Sequence, residues 1–171
     1  YTRFRLSTTG GLPPTGDGGV GEVEDYFYEI KGLDFGDAPD GVGAALYPTL
    51  LMHDGARHVT VGPWLGDERD SPDAENDGQP HPEGLGDDAD GGDDEDGVNI
   101  PALLQGHPAN LTIQVSGGGG YVDGWIDFDA DHAWQHPGEQ VVSAYFADGV
   151  HTVPIVTPGD AEVGQTFARF R

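Results

Sequence analysis

The sequence contains no cysteine among its 171 residues. This absence excludes disulfide bonds, thiolate zinc sites and cysteine nucleophiles together, so stability has to come from packing or from bound metal. No apolar run approaches the roughly 18 residues of a membrane-spanning helix, and the first residues lack a signal-peptide pattern. We therefore expect no membrane insertion.

Basic residues are also scarce. Lys and Arg together number 7 against 31 Asp and Glu, which gives a formal net charge of −24. A surface of this charge repels the phosphates of nucleic acids and of anionic membranes, so we expect neither as a partner. Divalent cations are the partners that it attracts.

Helical periodicity is almost absent, whereas short β-branched and aromatic runs recur between Gly, Pro, Asn and Asp residues. The pattern predicts an all-β fold, an antiparallel β-sandwich or jelly-roll-like module with long acidic metal-binding loops. The glycine tract 116–120 and the turn Ala147–Gly149 are predicted to close two hairpins. The predicted strands are Tyr1–Ser7, Val23–Ile30, His58–Val61, Asn110–Val115, Tyr121–Phe128, Gln140–Phe146, Val150–Val156 and Gln165–Arg171.

A long acidic loop, residues 67–96, interrupts the strand pattern with 14 acidic residues in 30. One interpretation is a solvated, self-repelling flexible loop. The other is a functional loop ordered by Ca²⁺, because carboxylates at this density need neutralising cations in order to fold. The candidate ligands are Asp73, Glu75, Asp77, Asp87, Asp88, Asp93 and Glu95.

A second candidate metal site has carboxylates at alternate positions, Asp127, Asp129 and Asp131, with Glu139 after them. Ca²⁺ takes oxygen ligands, and a D-x-D-x-D loop curls three carboxylates onto one point. An EF-hand Ca²⁺ loop has a turn glycine at its sixth position and a glutamate at its twelfth. Counted from Asp127, the sixth residue here is His132, and Glu139 is the thirteenth. We predict Ca²⁺ as the cofactor here, the alternative being a solvated acidic strand end.

The two ends of the sequence contain a near-repeat. Tyr1–Arg5 (YTRFR) matches Phe167–Arg171 (FARFR) at three of five positions. This is the pattern expected of one period of a tandem array cut out of phase.

Gly21–Tyr26 (GEVEDY) resembles the signature of the GEVED domain, a module of large secreted and surface-attached bacterial proteins. The resemblance covers nearly the whole chain and continues through ordered blocks at Asp34–Asp40, Tyr47–Leu50, Asp54–His58, Asp93–Val98, Gly124–Phe128 and Thr166–Arg171. In that family the Phe-Ala-Arg-Phe-Arg strand runs on into a Leu-Ser-Thr segment, and Gly-Glu-Val-Glu-Asp-Tyr ends the domain. The resemblance therefore assigns residues 1–30 to the C-terminal strands of one module and residues 31–171 to the body of the next, including the acidic loop 67–96.

The resemblance implies an extracellular or cell-surface bacterial repeat unit, metal-stabilised and without an established catalytic role. We expect a structural module of a surface fibre, adhesin or filament and not an enzyme. The open edge beside Gln165–Arg171 is expected to accept a segment like Leu6–Ile30 from another copy or from an adjacent repeat, head to tail. The alternative is that the N-terminal segment of the same chain fills this edge and gives a closed monomer. The residues expected to form this assembly strand are Phe4, Leu6, Val23, Tyr26, Phe27 and Ile30.

An accessory carbohydrate-binding module of a secreted enzyme is the alternative. Aromatic side chains can form a sugar-stacking platform, although aromatic residues at strand periodicity are also typical of a core. The candidates are Trp64, Trp125, Trp134, Tyr121 and Tyr145.

Overall fold

The computed structural model describes residues 1–41, 47–69, 71–86, 96–134 and 137–171. Within these ranges the chain is essentially all-β with antiparallel sheets, which confirms the predicted fold class. A 3₁₀ turn at Leu51–His53 is the one helical element in the described part. In that part, no helix has the length and apolarity needed to cross a membrane.

Eleven strands are described. They are β1 (Thr2–Ser7), β2 (Gly21–Tyr26), β3 (Leu33–Phe35), β4 (Arg57–Val59), β5 (Trp64–Leu65), β6 (Val98–Asn99), β7 (Pro108–Ser116), β8 (Gly120–Ile126), β9 (Gln140–Phe146), β10 (Gly149–Val156) and β11 (Ala168–Phe170).

The chain divides into two compact units, Tyr1–Lys31 and Gly32–Arg171. The first unit is a hairpin of β1 and β2, paired from Thr2 opposite Tyr26 to Ser7 opposite Gly21. β2 begins and ends earlier than the predicted strand Val23–Ile30, because its antiparallel partner β1 determines which residues pair.

The second unit is built around two sheets. One has the order β10-β7-β5, with β6 also pairing β7, and the other has the order β11-β8-β9. Their inner faces alternate with strand periodicity, so Leu111, Ile113 and Val115 of β7 are buried with Val122 and Ile126 of β8. Phe128, Val142, Ile155 and Ala161 complete this hydrophobic core. A smaller pair, β3 with β4, lies in the same unit.

The two predicted hairpins are wrong. The glycine tract 116–120 joins β7 to β8 and the turn Ala147–Gly149 joins β9 to β10, but in both cases the joined strands belong to different sheets. A local turn signal gives the place where the chain reverses, and it does not distinguish strands that pair side by side from strands that pack face to face. Here the buried alternate side chains of β7 and β8 meet across the core, so these connections cross between sheets.

Asp148 ties these two crossing connections together. Its Oδ1 atom accepts hydrogen bonds from the backbone N–H groups of Gly118 (2.8 Å) and Gly119 (2.7 Å).

We expect Asp148→Ala to lower the free energy of unfolding by about 1 kcal/mol, since both amide groups lose a carboxylate acceptor at an exposed site. Asp148→Asn keeps an oxygen acceptor and should retain most of the stability. Urea unfolding of the three proteins checks this, and equal midpoints for Asp148→Ala and the parent would contradict it.

Candidate metal centre

The Asp-rich segment of residues 127–139 is the connection between β8 and β9, which are antiparallel neighbours. Trp125 lies opposite Gln140, and the N–H of Ile126 donates to the carbonyl oxygen of Glu139 (3.0 Å). Strand pairing therefore brings Glu139 next to Asp127 whatever the number of residues between them. Glu139 can therefore join the group although it is the thirteenth residue counted from Asp127, where an EF-hand loop has its glutamate at the twelfth.

Among the described residues, Asp127, Asp129, Asp131 and Glu139 form the one group of acidic or histidine side chains that could hold a metal ion. Each offers a carboxylate oxygen, and these oxygens lie within 4.8 Å of one another. Oxygens bound to one Ca²⁺ at about 2.3–2.6 Å lie at most about 5 Å apart. The four carboxylates predicted to act together can therefore share one ion.

Asp127 is the most buried member, with none of its surface exposed. Its Oδ2 atom accepts hydrogen bonds from the Tyr47 hydroxyl (2.6 Å) and from the backbone N–H of His132 (2.9 Å). Its Oδ1 atom accepts one from the N–H of Asp131 (3.3 Å). These donors are all neutral, so they orient the carboxylate without neutralising its charge.

Glu139 is the second buried member, with 3% of its surface exposed. Two buried carboxylates beside Asp129 and Asp131 concentrate like charge in a small volume. Like charges about 4 Å apart repel by about 1–4 kcal/mol per pair at dielectric constants between those of water and a protein surface. A divalent cation at this point would offset that repulsion.

The backbone of the loop turns through left-handed positions at Ala130 (φ 55°) and His132 (φ 68°). His132 therefore has the positive φ that glycine commonly adopts, and histidine is among the residues that tolerate it. The replacement of glycine by histidine, a departure from the EF-hand pattern, is thus compatible with a tight turn here. The side chain of Asp131 accepts a hydrogen bond from the N–H of Ala133 (2.9 Å) within the same turn.

Tyr47 anchors the loop from a distant part of the sequence. It is 1% exposed, and its ring stacks on Trp134 with 4.2 Å between centroids. Burial and the Asp127 carboxylate raise the pKa of the Tyr47 hydroxyl well above its usual range. The hydroxyl therefore stays protonated and donates to Asp127.

The strand β11 and the residues before it hold the other side of the loop. The Thr166 hydroxyl donates to the carbonyl oxygen of Asp127 (2.5 Å), and the N–H of Asp127 donates to the carbonyl oxygen of Phe167 (3.1 Å). The guanidinium of Arg169 lies 4.3 Å from the centroid of the Trp134 ring. Burial lowers the pKa of Arg169 to about 10, and Arg171 contributes to the shift.

Sequence reasoning missed Tyr47 and Thr166 as supports of this site. Tyr47 is 80 residues from Asp127 in the sequence, and no local spacing indicates the contact. The available signal was the resemblance itself, because Tyr47 and Thr166 each begin one of the matching blocks. In the structure three of these blocks, Tyr47–Leu50, Gly124–Phe128 and Thr166–Arg171, meet around Asp127.

The described carboxylates of the acidic loop 67–96 lie elsewhere in the second unit. Glu75 accepts a hydrogen bond from the N–H of Phe35 (3.0 Å), and its own N–H donates to the carbonyl oxygen of Leu33 (2.8 Å). Asp77 accepts one from the N–H of Leu51 (2.6 Å). Asp73, Glu75 and Asp77 are not part of a group of three or more metal-type ligands within the described ranges. Ca²⁺ binding by this loop stays a prediction, and Asp87, Asp88, Asp93 and Glu95 lie outside the described residues.

The carboxylate of Asp40 holds a turn of the backbone together. Its carboxylate accepts hydrogen bonds from the N–H groups of Thr49 (3.0 Å) and Leu50 (2.8 Å) and lies 2.6 Å from Nδ1 of His53. Burial opposes ionisation, but these hydrogen bonds outweigh it and hold the pKa of Asp40 below its usual range. This carboxylate organises a turn, in agreement with ordinary Asp turn chemistry.

The residues predicted to form an assembly strand belong to the first unit. Phe4, Leu6, Val23, Tyr26, Phe27 and Ile30 are all among its exposed large apolar side chains. Phe4 and Tyr26 contact each other edge to face at 6.0 Å. The hairpin therefore presents apolar surface that its own residues do not cover.

Comparison with known proteins gives no relatives, because no family model, curated protein or solved structure matches this chain.

Proposed function

We propose that the chain is a calcium-stabilised structural repeat module of an extracellular bacterial surface fibre, adhesin or filament. Its similarity to the GEVED domain supports the secreted or surface setting. The observation that carries the proposal is the carboxylate group of Asp127, Asp129, Asp131 and Glu139, with two of its four members buried. The role is structural and not enzymatic.

Ca²⁺ fits this group better than other common cations. All four side chains offer oxygen, which suits hard cations and gives no soft ligand for copper or a thiolate-type zinc site. Ca²⁺ also tolerates irregular coordination, whereas Mg²⁺ demands near-octahedral geometry at shorter distances. The loop continues from β8 into β9 and is held on its other side by Thr166 and β11, so an ion bound there would stiffen the β8–β9 connection and the support that Thr166 gives it.

Assembly head to tail by strand complementation is the second part of the proposal. β11 pairs with β8 along one edge, and no described strand pairs with its other edge. In the first unit, β1 has nearly the same sequence as the segment around β11 and pairs with β2. A segment like Leu6–Ile30 after Arg171 would therefore continue β11 and cover its open edge with a Gly-Glu-Val-Glu-Asp-Tyr strand.

Asp129→Ala is expected to remove one bound Ca²⁺ per chain in isothermal titration calorimetry. The substitution deletes an exposed member of the group and leaves the buried carboxylates and both strands in place. Asp160→Ala, which removes an exposed acidic residue outside the group, serves as the matched control and should leave the stoichiometry unchanged. Unchanged stoichiometry and affinity in Asp129→Ala would refute the site.

The assembly part is tested by adding a copy of Leu6–Ile30 after Arg171 of the full chain. We expect a higher melting temperature and slow hydrogen exchange in the added residues, because the copy pairs with β11 and buries apolar side chains. The control is an added copy with serine in place of the residues that match Val23, Phe27 and Ile30. Equal melting of the two extended chains would contradict strand complementation.

Carbohydrate binding is the second candidate, and one exposed aromatic pair favours it. Tyr121 of β8 lies opposite Tyr145 of β9, and both side chains are exposed, with an edge-to-face contact at 5.5 Å. Trp134 is not part of this surface, since it stacks on the buried Tyr47 ring. Pull-down on insoluble polysaccharides, with Tyr121→Ala as the control, distinguishes this candidate from a purely structural module.

A further inference from the structure

The near-repeat relates β1 to β11 residue by residue. It matches Arg3 with Arg169, Phe4 with Phe170 and Arg5 with Arg171. Both segments are strands, although β1 has six residues and β11 has three. The surroundings of β11 therefore show what a strand of this sequence binds to.

The body of the second unit contains a specific site for the arginine of this strand. Arg169 donates from Nη1 to the carbonyl oxygen of Pro48 (2.8 Å) and from Nη2 to the Thr49 hydroxyl (3.1 Å). The face of the guanidinium rests on the Trp134 ring. A flat, delocalised cation satisfies these contacts, and a lysine ammonium does not reproduce them.

The next residue, Phe170, packs on the core. It lies opposite Gly124 of β8, and a Cβ atom added at Gly124 would be 2.4 Å from the Phe170 ring. Gly124 therefore leaves the space that the aromatic ring fills. An Arg-Phe pair is thus recognised by a polar site for the first residue and an apolar site for the second.

Two of the matching residues of β1, Arg3 and Phe4, are exposed, and so is Leu6, which follows Arg5. Phe4 has 64% and Leu6 has 70% of its surface accessible, and Arg3 makes an exposed ion pair with Asp25 (2.6 Å). An isolated two-stranded hairpin is marginally stable in water, and exposed ion pairs contribute little to stability. The hairpin would gain apolar burial and lose little by docking on the site that β11 occupies.

We infer that the β8 edge of a second copy binds the β1–β2 hairpin in place of β11, with Arg3 and Phe4 at the positions of Arg169 and Phe170. The inference rests on the proposed head-to-tail assembly and names the strand that makes the contact. Donor and acceptor are different surfaces, so the contact is heterologous and propagates from copy to copy unless it closes as a ring. The longer β1 would continue past the end of β11 and place Leu6 beside Val122, which belongs to the buried core.

The register of this contact is fixed by the pairing of β11. The backbone groups of Arg171 and Asp123 exchange two hydrogen bonds (2.8 and 2.9 Å). Arg5 of the donor would therefore lie opposite Asp123 of the acceptor. Paired residues of this kind have Cα atoms about 5.5 Å apart, within the range that a disulfide bridges.

Disulfide trapping between two separately labelled full-length chains tests this register. The parent sequence has no cysteine, so every disulfide reports the introduced pair. The donor carries Arg5→Cys, and the acceptor carries Asp123→Cys together with Phe170→Ala, which loosens β11. The matched control acceptor carries Tyr121→Cys with Phe170→Ala, two residues out of register on the same face of β8.

We expect a mixed dimer with the Asp123→Cys acceptor, its loss with the Tyr121→Cys acceptor, and its loss when the donor also carries Arg3→Ala and Phe4→Ala. Equal yields from both acceptors would overturn the inference. Because Phe170→Ala can impair folding, the same trapping is repeated with acceptors that keep Phe170, and absence of the dimer there as well would overturn the inference.

If the added Leu6–Ile30 copy still stabilises the chain while trapping fails, head-to-tail complementation stands and this strand exchange does not.

Discussion

Chelation of divalent cations with EDTA is expected to lower the melting temperature of the full chain by about 5–10 °C at fixed ionic strength. A ligand present at about 100 times its dissociation constant stabilises the native state by about 2.7 kcal/mol. A chain of this size loses about 2–4 °C in melting temperature per kcal/mol. The loss is expected because removal of the ion leaves four neighbouring carboxylates, two of them buried, to repel one another.

The control for chelation is Asp129→Ala, which lacks one ligand of the proposed site. Its melting temperature should change much less on addition of EDTA, while Asp160→Ala should behave like the parent chain. Differential scanning calorimetry with and without 1 mM Ca²⁺, which is about 100 times a dissociation constant of about 10 µM, makes the comparison. A parent chain that melts at the same temperature in EDTA and in Ca²⁺ would show that the fold does not depend on the ion.

Replacement of Tyr47 is expected to have the second large effect. Tyr47→Ala should lower the free energy of unfolding by about 3–5 kcal/mol, the cost of removing a buried aromatic ring. Tyr47→Phe keeps the ring and its stacking on Trp134 but removes the hydroxyl that donates to Asp127. A lost hydrogen bond to a charged group costs about 1.5–3 kcal/mol.

Tyr121→Phe and Tyr121→Ala provide the matched comparison, because the Tyr121 side chain is exposed on the outer face of β8. We expect each to change stability by about 0.5 kcal/mol or less. Denaturant unfolding in Ca²⁺ measures all four variants. A Tyr47→Phe variant that unfolds at the same denaturant concentration as the parent chain would show that the Tyr47 hydroxyl does not stabilise the fold through Asp127.

The elements that sequence predicted well are those with a strong local pattern. β9 has the predicted bounds Gln140–Phe146, and β7, β8 and β10 differ from the predicted strands by a few residues at their ends. Side-chain burial alternates along β7 and β8, so periodicity indicates these two strands, whereas β9 and β10 are indicated by their β-branched and aromatic residues. β3, β5 and β6 were missed, since strands of two or three residues are too short to show any period.

The candidate site was predictable in part, because some of its residues also follow a local pattern in the sequence. The alternate carboxylates Asp127, Asp129 and Asp131 can be recognised from their spacing, and Glu139 from its place after them. The tertiary contacts were not predictable, because they depend on which strands pair. Pairing of β8 with β9 brings Glu139 to Asp127, and the fold brings Tyr47 and Thr166 from distant segments.

A crystal structure of the full chain grown in Ca²⁺, with anomalous differences recorded at long wavelength, tests the central claim most directly. We predict an anomalous peak about 2.3–2.6 Å from carboxylate oxygens of Asp127, Asp129, Asp131 and Glu139. A map without a peak among these four carboxylates at millimolar Ca²⁺ would contradict the claim that this loop is the calcium site that stabilises the fold.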